Sequence, residues 1–462
     1  MASLGSILSI ARSALQAQQA AVAVASQNIA NAGIEGYSRQ RLEVSASTPQ
    51  LAPYGAVGTG VTLEGVTRAR DTLLDSSYRD ASSKSAAYDL RSSVLSQAEG
   101  IFGAPSDTGI GADLDAFWSS WSDLANAPSS GAARSAVVQA GRALASSFRS
   151  AANQLDGIRG DVLTRLDQAV DTVNRAAEQV ALLNRQIVTA QAGGHQAPDL
   201  LDARDRLVDQ LSTLGAVRTS PAENGTISVI LDGETLVDGT TTRALSLNRS
   251  GEKVRLTVGN GTVASPEGST IGQMTRLLNT DLPEIGKQLD TLANAVATKV
   301  NAVHEGGMVY STDPAQAGGK FFAVDSDGNA TARGMALDTA IEQDPSLIAA
   351  SGNPGGPTDN ATALSIAALR DATGPTAEMG QGSFGDFYRS IVTGLAGDTS
   401  AAKGSSEVFS TLTAQAETRR QSVSGVSMDE ELIHLIQNQH AYTAASRLLT
   451  TVDEMMQSLL NV

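Results

Sequence analysis

The chain has 462 residues, of which 41% are hydrophobic, 18% charged and only 4% aromatic, and its formal net charge is −16. This acidic balance argues against nucleic acid and anionic lipid as partners, because both repel a negative surface. The sequence contains no cysteine, which excludes disulfides, thiolate zinc sites and thiol nucleophiles.

Membrane insertion and a cleaved leader are not expected from the sequence. No apolar run reaches the roughly 18 consecutive residues that a spanning helix needs. Residues 23–25 resemble a signal-peptide cleavage site, but Arg12 is the first basic residue and Gln16, Gln18 and Gln19 interrupt the apolar stretch. We therefore expect the N-terminus to be part of the mature structure.

Residues 3–31 are predicted to form one helix. Two adjacent seams of apolar or small residues recur at steps of three and four, which gives an apolar arc too wide for a single partner helix. Arg12 is the only charged residue before Glu35. A solvated helix would carry charge on its outer face, so this helix is predicted to be surrounded by neighbours. Its main seam consists of Leu4, Leu8, Ala11, Leu15, Gln18, Val22, Ala25 and Ile29.

The middle of the chain alternates between helical and β-rich patterns. Asp232 and Gly233 form a hairpin turn signal between strand-like segments, so 217–270 is predicted to be a small inserted β-domain. A β-rich segment at 38–68 precedes the helices. The helices are predicted at 71–100, around Phe117 to Leu124, at 132–192, at 199–214, at 273–304, after Asn360 and at 405–420.

A last helix is predicted at 428–460. Its main seam consists of Leu432, Leu435, Gln439, Tyr442, Ala445, Leu449, Val452, Met456 and Leu459, and Ile433, Ile436, Leu448 and Leu460 widen it. The predicted fold is mainly α with an inserted small β-domain, in an elongated multi-domain subunit whose terminal helices pair as a coiled coil. The predicted domains are 1–68 with 424–462, 69–216 with 271–423, and 217–270.

The histidines and glycines of the sequence do not indicate a metal or cofactor site. His434 and His440 are six positions apart, about 240° around a helix, so they do not share a face. The segment 325–329 hints at a calcium loop, but its glycine comes too early and Ala336 occupies the position of the essential glutamate. A β-turn is the better interpretation. The pair Gly109 and Gly111 lacks the third glycine of a dinucleotide site.

The remaining chemical candidates also favour structural roles. Trp118 and Trp121 have the spacing of core residues. Asp202, Asp205 and Asp209 are interpreted as a solvated, charged helix face. No motif pairs a nucleophile with a base, so the sequence predicts a non-enzymatic protein without catalytic, metal-binding or cofactor-binding residues.

The two ends of the chain carry motifs of a known family. Residues 26–31, followed by the run Gly36, Tyr37, Ser38, Arg39 and Gln40, resemble the N-terminal signature of bacterial flagellar rod, hook and hook-associated proteins. The run, with 58–61 downstream, is most similar to the hook-associated branch at the hook–filament junction. The similarity continues through 199–207, 301–304, 427–431 and 439–442. Residues 34–36 depart from the usual Thr-x-Gly of the family, which affects the local turn geometry.

The resemblance implies an assembly role outside the cell. Such proteins are exported unfolded through the flagellar type III export apparatus, with an uncleaved N-terminal signal and an export chaperone near the C-terminus. They form a ring in the axial structure between the hook protein and the second hook-associated junction protein. Their terminal helices line the axial channel as an inner coiled coil.

We predict that the subunit polymerises through its terminal helices. Asn28, Asn31 and Tyr37 either cap the helix end or fix the turn toward the outer domains, and both readings stay open at this point. We also expect both ends to be mobile in the monomer and to order on assembly. The predicted interface comprises Leu4, Leu8, Leu15, Val22, Ile29, Leu432, Leu435, Ile436, Tyr442, Leu449, Val452, Met456 and Leu459.

Two alternative functions remain. A hook or rod paralogue would lack the long helix at 132–192, because those proteins are mainly β outside their termini. A secreted coiled-coil type III effector or translocator would need no paired apolar ends.

Overall fold

The computed structural model describes 4–52, 55–103, 109–194, 196–249, 253–259, 261–263, 267–309, 316–354 and 358–460, and its side-chain description omits Leu4, Ala52, Leu459 and Leu460. Within these ranges the fold is mainly helical. The helices are α1 (Leu4–Asn31), α2 (Thr72–Phe102), α3 (Ile110–Asn126), α4 (Gly131–Ala192), α5 (Pro198–Ser212), α6 (Thr270–Arg276), α7 (Leu282–Glu305), α8 (Thr339–Gln343), α9 (Ala361–Ala368), α10 (Phe384–Ser424) and α11 (Met428–Leu460).

The strands form small antiparallel sheets. Beside the first helix, β1 pairs with β4 and the hairpin β2–β3 extends between them. The inserted β-region holds a meander in the order β5-β6-β7-β8 and a sheet in the order β11-β10-β9. The strands are β1 (Gln40–Ala46), β2 (Gln50–Ala52), β3 (Gly55–Val57), β4 (Val61–Arg68), β5 (Val217–Pro221), β6 (Ile227–Leu231), β7 (Glu234–Asp238), β8 (Thr241–Thr242), β9 (Leu245–Asn248), β10 (Arg255–Val258), β11 (Gly261–Thr262), β12 (Met308–Val309), β13 (Gln316–Ala317) and β14 (Ala349–Ser351).

The long helix α4 sets the length of the molecule. Ser130 caps its start, where the side-chain oxygen accepts a hydrogen bond from the amide of Ala133 at 3.2 Å. Its 62 residues span about 93 Å at 1.5 Å per residue. The predicted bounds of the first, long and last helices are confirmed to within about one residue.

Two other predicted helices differ from the structure. The helix predicted at 405–420 is wrong in its start, because α10 begins at Phe384. Ser383 and Asp386 form a capping box there, and buried Tyr388 anchors the first turns. The helix predicted at 273–304 is interrupted by a π-helical turn over Leu277–Asp281.

The turn predicted between two strands is confirmed. Asp232 (φ 47°) and Gly233 (φ 91°) join β6 to β7, and both central residues have the positive φ of a type I′ turn. Asp325 accepts hydrogen bonds from the amides of Asp327 at 3.0 Å and Asn329 at 2.8 Å, which closes the local turn predicted for 325–329.

The main core lies where α3, α4 and α7 meet. The rings of Phe117 and Phe321 are 5.7 Å apart, and those of Trp121 and Phe321 are 5.4 Å apart. All three side chains are 0% exposed. A Cβ on Gly141 would lie 2.9 Å from the ring of Phe321, so α4 approaches the cluster only because that residue is glycine. The predicted core role of Trp118 and Trp121 is confirmed.

Next to this core, α2 and α10 pack against each other as an antiparallel helix pair. Three contacts set its direction: Tyr388 of α10 lies against Phe102 of α2, Phe409 stacks on Tyr88, and the Arg420 guanidinium lies 3.9 Å from the centre of the Tyr78 ring. The chain passes between this region and the terminal unit twice, at 69–71 and at 425–427, and the turn at 32–39 joins α1 to β1.

Candidate assembly surface and its anchoring network

The terminal helices α1 and α11 pack along one another. On α1 the fully buried apolar residues are small: Ala11, Ala17 and Ala25 are at most 6% exposed. Small side chains let two helix backbones approach closely. On α11 the covered positions recur at steps of three and four, as in a coiled coil. These covered positions are Glu431, Leu435, Asn438, Ala441, Ala445, Leu449 and Val452.

The other side of α11 is apolar and open. Leu432, Ile433 and Ile436 are 45%, 55% and 51% exposed. These three residues form an open strip at the start of α11. Farther along, Tyr442, Leu448, Met455 and Met456 are each 43–44% exposed at the two edges of the covered seam. One chain therefore leaves apolar side chains in water along α11, which is unusual for a helix whose function is complete in the monomer.

The predicted interface residues divide between these surfaces. Leu435, Leu449 and Val452 lie inside the pair, Leu432 and Ile436 belong to the open strip, and Tyr442 and Met456 lie at the edge of the covered seam. On α1, Leu15, Val22 and Ile29 are half-buried and Leu8 is exposed. The side chains of Leu4 and Leu459 lie outside the described residues. The role of the whole set in assembly stays a prediction.

Asn28 joins three segments at the base of the helix pair. It is 1% exposed, and its Nδ2 donates to the carbonyl of Gln40 at 2.9 Å and to Oε2 of Glu431 at 3.0 Å. Its Oδ1 accepts from the hydroxyl of Tyr37 and from the amide of Gln40, both at 2.9 Å. All four hydrogen-bonding positions of this amide are used, so its burial carries no unsatisfied polar group.

Arg39, in the turn between α1 and β1, forms ion pairs with α11. Its Nε lies 2.7 Å from Oε1 of Glu431, and its Nη1 lies 3.0 Å from Oε2 of Glu430. Its amide donates to the carbonyl of Ser424 at 2.8 Å. Its carbonyl accepts from the amide of Ala69 at 2.8 Å, so Arg39 joins the two crossings at 69–71 and 425–427.

The turn that precedes Arg39 requires glycine. Gly36 has φ 76°, and a Cβ there would lie 2.4 Å from Cγ of Arg206. The amide of Ile34 donates to the carbonyl of Asn31 at 2.9 Å, which ends α1. The Asn31 side chain donates back to the carbonyl of Gln27 at 3.0 Å and takes no part in the contacts of Asn28.

Ser38 and Gln40 connect the same segment to α5. Ser38 donates from its hydroxyl to Oδ1 of Asp202 at 2.7 Å and from its amide to Oδ2 at 3.0 Å. Gln40 Nε2 donates to Oδ1 of Asp199 at 3.0 Å. Burial raises the pKa of Tyr37 to about 12, and the nearby carboxylates of Asp199 and Asp202 contribute to the rise. The phenol is therefore a fixed hydrogen-bond donor at neutral pH.

A buried ion-pair network continues from Asp202 along one face of α5. Arg68 contacts Asp202 at 2.7 Å and Asp205 at 2.8 Å. Arg70 reaches Asp205 at 3.2 Å and pairs with Asp75 at 2.7 Å. Burial alone would raise the pKa of Asp205, but the guanidinium groups of Arg70 and Arg68 hold it below its usual range.

The lower end of the network reaches the helix pair α2–α10. Asp209 accepts from Arg79 of α2 and from Arg420 of α10, each at 2.6 Å. Burial disfavours the charge of Arg420, yet Asp209 and Glu417 raise its pKa, so the cation persists. The network therefore links α2, α5, α10 and the end of β4, and Ser38 extends it to the terminal pair.

The interpretation of Asp202, Asp205 and Asp209 as a solvated face is wrong. Asp202 is 3% exposed. The steps of three and four do place the three carboxylates on one helix face, but arginines from distant segments cover it. The sequence signal that could have indicated this ion-pair network is the spacing of the three carboxylates on one helix face. Three like charges on one face repel one another unless cations balance them.

The described residues contain no group of three or more side chains arranged to hold a metal ion. His304 is buried, and its Nδ1 lies 2.6 Å from the carbonyl of Gly319 while its Nε2 accepts from the amide of Ala349 at 2.9 Å. Burial lowers the pKa of His304, so the ring is a neutral packing element. Among the described helices, none is long and apolar enough to cross a membrane.

Comparison with known families matches the chain at both ends and in the middle. The flagellar hook-associated protein FlgK helical domain matches residues 95–322. The flagella basal body rod protein family matches residues 8–37, and the flagellar basal body rod FlgEFG protein C-terminal family matches residues 419–462. The middle match includes α4, which distinguishes the chain from the hook and rod paralogues.

Individual relatives and a solved structure agree with these matches. Flagellar hook-associated protein 1 of Bacillus subtilis is 31% identical over 98% of this chain and 97% of that protein, and the Escherichia coli protein of the same name is 25% identical over 99% and 100%. The flagellar hook junction protein FlgK of Burkholderia pseudomallei, at 18% identity and a TM-score of 0.65 over 77% of this chain and all of that chain, shares the fold. The chain therefore belongs to the flagellar hook-associated protein 1 family and is a structural protein of the bacterial flagellum.

Proposed function

We propose that this subunit forms part of the junction between hook and filament and polymerises through the outer face of its terminal helix pair. The observation that carries the proposal is the open apolar strip of Leu432, Ile433 and Ile436, with the exposed apolar residues up to Met456, on a helix whose inner side is already used by α1. Burying a Leu or Ile side chain contributes roughly 1.5–3 kcal/mol. Seven half-exposed apolar residues thus supply a driving force for association that a monomer does not use.

The proposed partners follow from the family. Within the axial structure these are further copies of the subunit, the hook protein and the second hook-associated junction protein. During export they are the flagellar export chaperone and the type III apparatus, with the N-terminal helix retained and the final location extracellular. The terminal pair with 32–68 forms the inner unit, and the helical bundle and the β-region of 217–270 form the outer units.

A pair of neighbouring substitutions on α11 tests the proposal. Ile436→Asp places a charge on the open strip, whereas Gln437→Asp places the same charge on the adjacent exposed position. We expect Ile436→Asp to leave the melting of the purified subunit unchanged and to abolish filament growth and swimming. Electron microscopy of cells should then show hooks without filaments, with filament protein lost to the medium.

Gln437→Asp is the control and should support swimming like the unchanged protein. Normal motility of the Ile436→Asp strain would contradict the proposed interface. Loss of motility in both strains would show that added charge, and not the apolar strip, is responsible.

A further inference from the structure

The long helix α4 is held by different partners in its two halves. In the first half, Arg149 donates to the carbonyl of Met335 at 2.6 Å, and Gly141 lies against Phe321. In the second half, Asn174 donates to the carbonyl of Leu245 at 2.9 Å, in the β-region. The first half therefore belongs to the aromatic core, and the second half belongs to the β-region and α5.

Between these halves the packing of α4 thins. Leu155 and Val162 are buried, but no residue of 156–161 is, and in that stretch only the partly covered Ile158 packs against the core. Gly157 and Gly160 lie in this stretch, and a Cβ at either would meet no atom within 4 Å. Packing therefore does not require these glycines. Glycine in a helix interior loses more conformational freedom on folding than any other residue, so the pair weakens the helix here.

The neighbouring helix is irregular at the same level. The π-helical turn Leu277–Asp281 separates α6 from α7, and Pro283 follows in the first turn of α7. Asn279 in this turn exchanges hydrogen bonds with the backbone of Val254 at 2.7 and 2.8 Å, so α6 and the turn move with the β-region. Asn301 of α7 binds the backbone of Phe321 and Phe322, so α7 belongs to the core half.

A cleft of about 490 Å³ lies between this part of α4 and the first turns of α7. Leu155 and Arg159 line it from α4, and Pro283 and Gly286 line it from α7. Across its mouth Arg333 forms an ion pair with Asp156, and both side chains are largely exposed. An exposed pair of this kind contributes little to stability, so it does not lock the cleft shut.

We propose that the outer body of the subunit bends at this level, with Gly157–Gly160 of α4 and the π-helical turn before α7 acting together as a hinge. Kinks in helices occur at glycine pairs, at π-turns and at proline, and here these features coincide on α4 and at the junction of α6 and α7, whereas α2 and α10 cross this level as single helices. The cleft opens or closes as the β-region and the second half of α4 tilt against the aromatic core.

A second glycine pair shows that spacing alone does not make a hinge. Gly394 and Gly397 of α10 are also three residues apart, and a Cβ at either would also meet nothing within 4 Å. Leu395 between them is buried, however, so the packing of α10 continues through the pair. This pair is a matched control, because alanine at both positions adds the same two methyl groups to another helix.

The cysteine-free chain suits distance measurement between spin labels. Labels at Ser150→Cys and Thr172→Cys span the hinge over 22 positions, about 33 Å along a straight helix. Labels at Thr164→Cys and Gln186→Cys have the same separation within the second half. All four positions are exposed. Pulsed electron resonance on the full chain should give a broad or two-peaked distribution for the first pair and a narrow one for the second.

Glycine replacement completes the test. Gly157→Ala with Gly160→Ala should narrow the distribution of the 150/172 pair and slow amide exchange at 157–162 at least tenfold, whereas Gly394→Ala with Gly397→Ala should change neither. A 150/172 distribution as narrow as that of 164/186 would overturn the proposal. So would a broad distribution that persists unchanged after the alanine replacements at 157 and 160.

Discussion

The aromatic core and the terminal helix pair are both helical, but they bury their side chains in opposite ways. Phe117, Trp121 and Phe321 are completely enclosed by their own chain. On α11, by contrast, Ile433 and Ile436 remain more than half exposed, and polar contacts of Asn28 and Arg39 fix the base of the pair. The core is complete in one subunit, whereas the terminal pair has polar anchoring and an unfinished apolar surface. We therefore expect the middle of the subunit to fold on its own and the terminal helix pair to be completed by neighbouring subunits.

The largest expected effect is on the core. Phe117→Ala removes a ring that contacts Trp118, Trp121, Phe321 and Phe322. We expect the free energy of unfolding to fall by about 3–5 kcal/mol, because the transfer and cavity costs add. Denaturant unfolding of the purified subunit measures this. Ile436→Ala, on the open strip, should change the same quantity by no more than about 0.5 kcal/mol. A similar loss of unfolding free energy in both variants would contradict the proposed difference between the aromatic core and the terminal pair.

Asp202→Asn tests how firmly the terminal pair is anchored. The carboxylate is 3% exposed and binds Ser38 and Arg68, so its loss leaves a buried arginine with reduced compensation. We expect a loss of about 3 kcal/mol and faster amide exchange in 26–40. Asp89→Asn, at an exposed position of α2, is the matched control and should have no measurable effect. Unchanged exchange in 26–40 would show that the network is not the anchor.

The pH dependence of stability should have opposite signs in the β-region, which contains Asp232, and in the ion-pair network around Asp205. Burial raises the pKa of Asp232 from 3.8 to about 6, although Ser269 and the amide of Ala216 donate to it. Its contribution to stability is therefore complete below pH 3.8 and is lost as the pH rises through about 6, by roughly 2–3 kcal/mol. Asp205, with its lowered pKa, acts in the opposite sense and loses its contribution as the pH falls below 3.8.

Amide exchange of 227–237, referenced to unfolded-chain rates at each pH, measures the Asp232 effect. Protection should decrease from pH 5 to pH 7 in the unchanged protein. Asp232→Asn should remove this dependence, since the amide does not titrate in this range. A protection that increases over the same interval would contradict the assignment.

The smallest free energy is expected for opening of the terminal pair in the monomer. In dilute solution the amides of 5–31 should exchange at least a hundredfold faster than those around Leu144 in the core, because the pair lacks the neighbours that would cover α11. The same amides should become protected after assembly. Strong protection of 5–31 in the dilute monomer would show that the pair is stable alone.

Periodic elements were predictable from the sequence, whereas contacts between distant segments were not. The repeating stripe of α4 and the seam of α11 defined their helices to within a residue, because one helix face is apolar along its full length. The extension of α10 to Phe384 was missed, although Ser383 and Asp386 have capping-box spacing. The π-helical turn was missed, because Leu277, Leu278 and Leu282 continue the apolar pattern across it.

The candidate site was predictable in part. The apolar positions of the terminal helices follow from spacing, but the division of Leu435 and Ile436 between an inner and an open face depends on where α1 lies. The anchoring network joins residues near 38, 70, 205, 420 and 431. No local pattern predicts which arginine will neutralise Asp205, because the partners are brought together only by the tertiary fold.

The two chain crossings at 69–71 and 425–427 have a mechanical consequence. A domain on a single linker can swivel, since torsion about one segment meets little resistance. Here two segments leave the terminal unit side by side, and Arg39 joins them, because its carbonyl accepts from the amide of Ala69 and its amide donates to the carbonyl of Ser424. Rotation of the terminal pair about its own axis would have to wind one segment around the other and break these bonds. Torque applied to the terminal helices is therefore transmitted to the outer body.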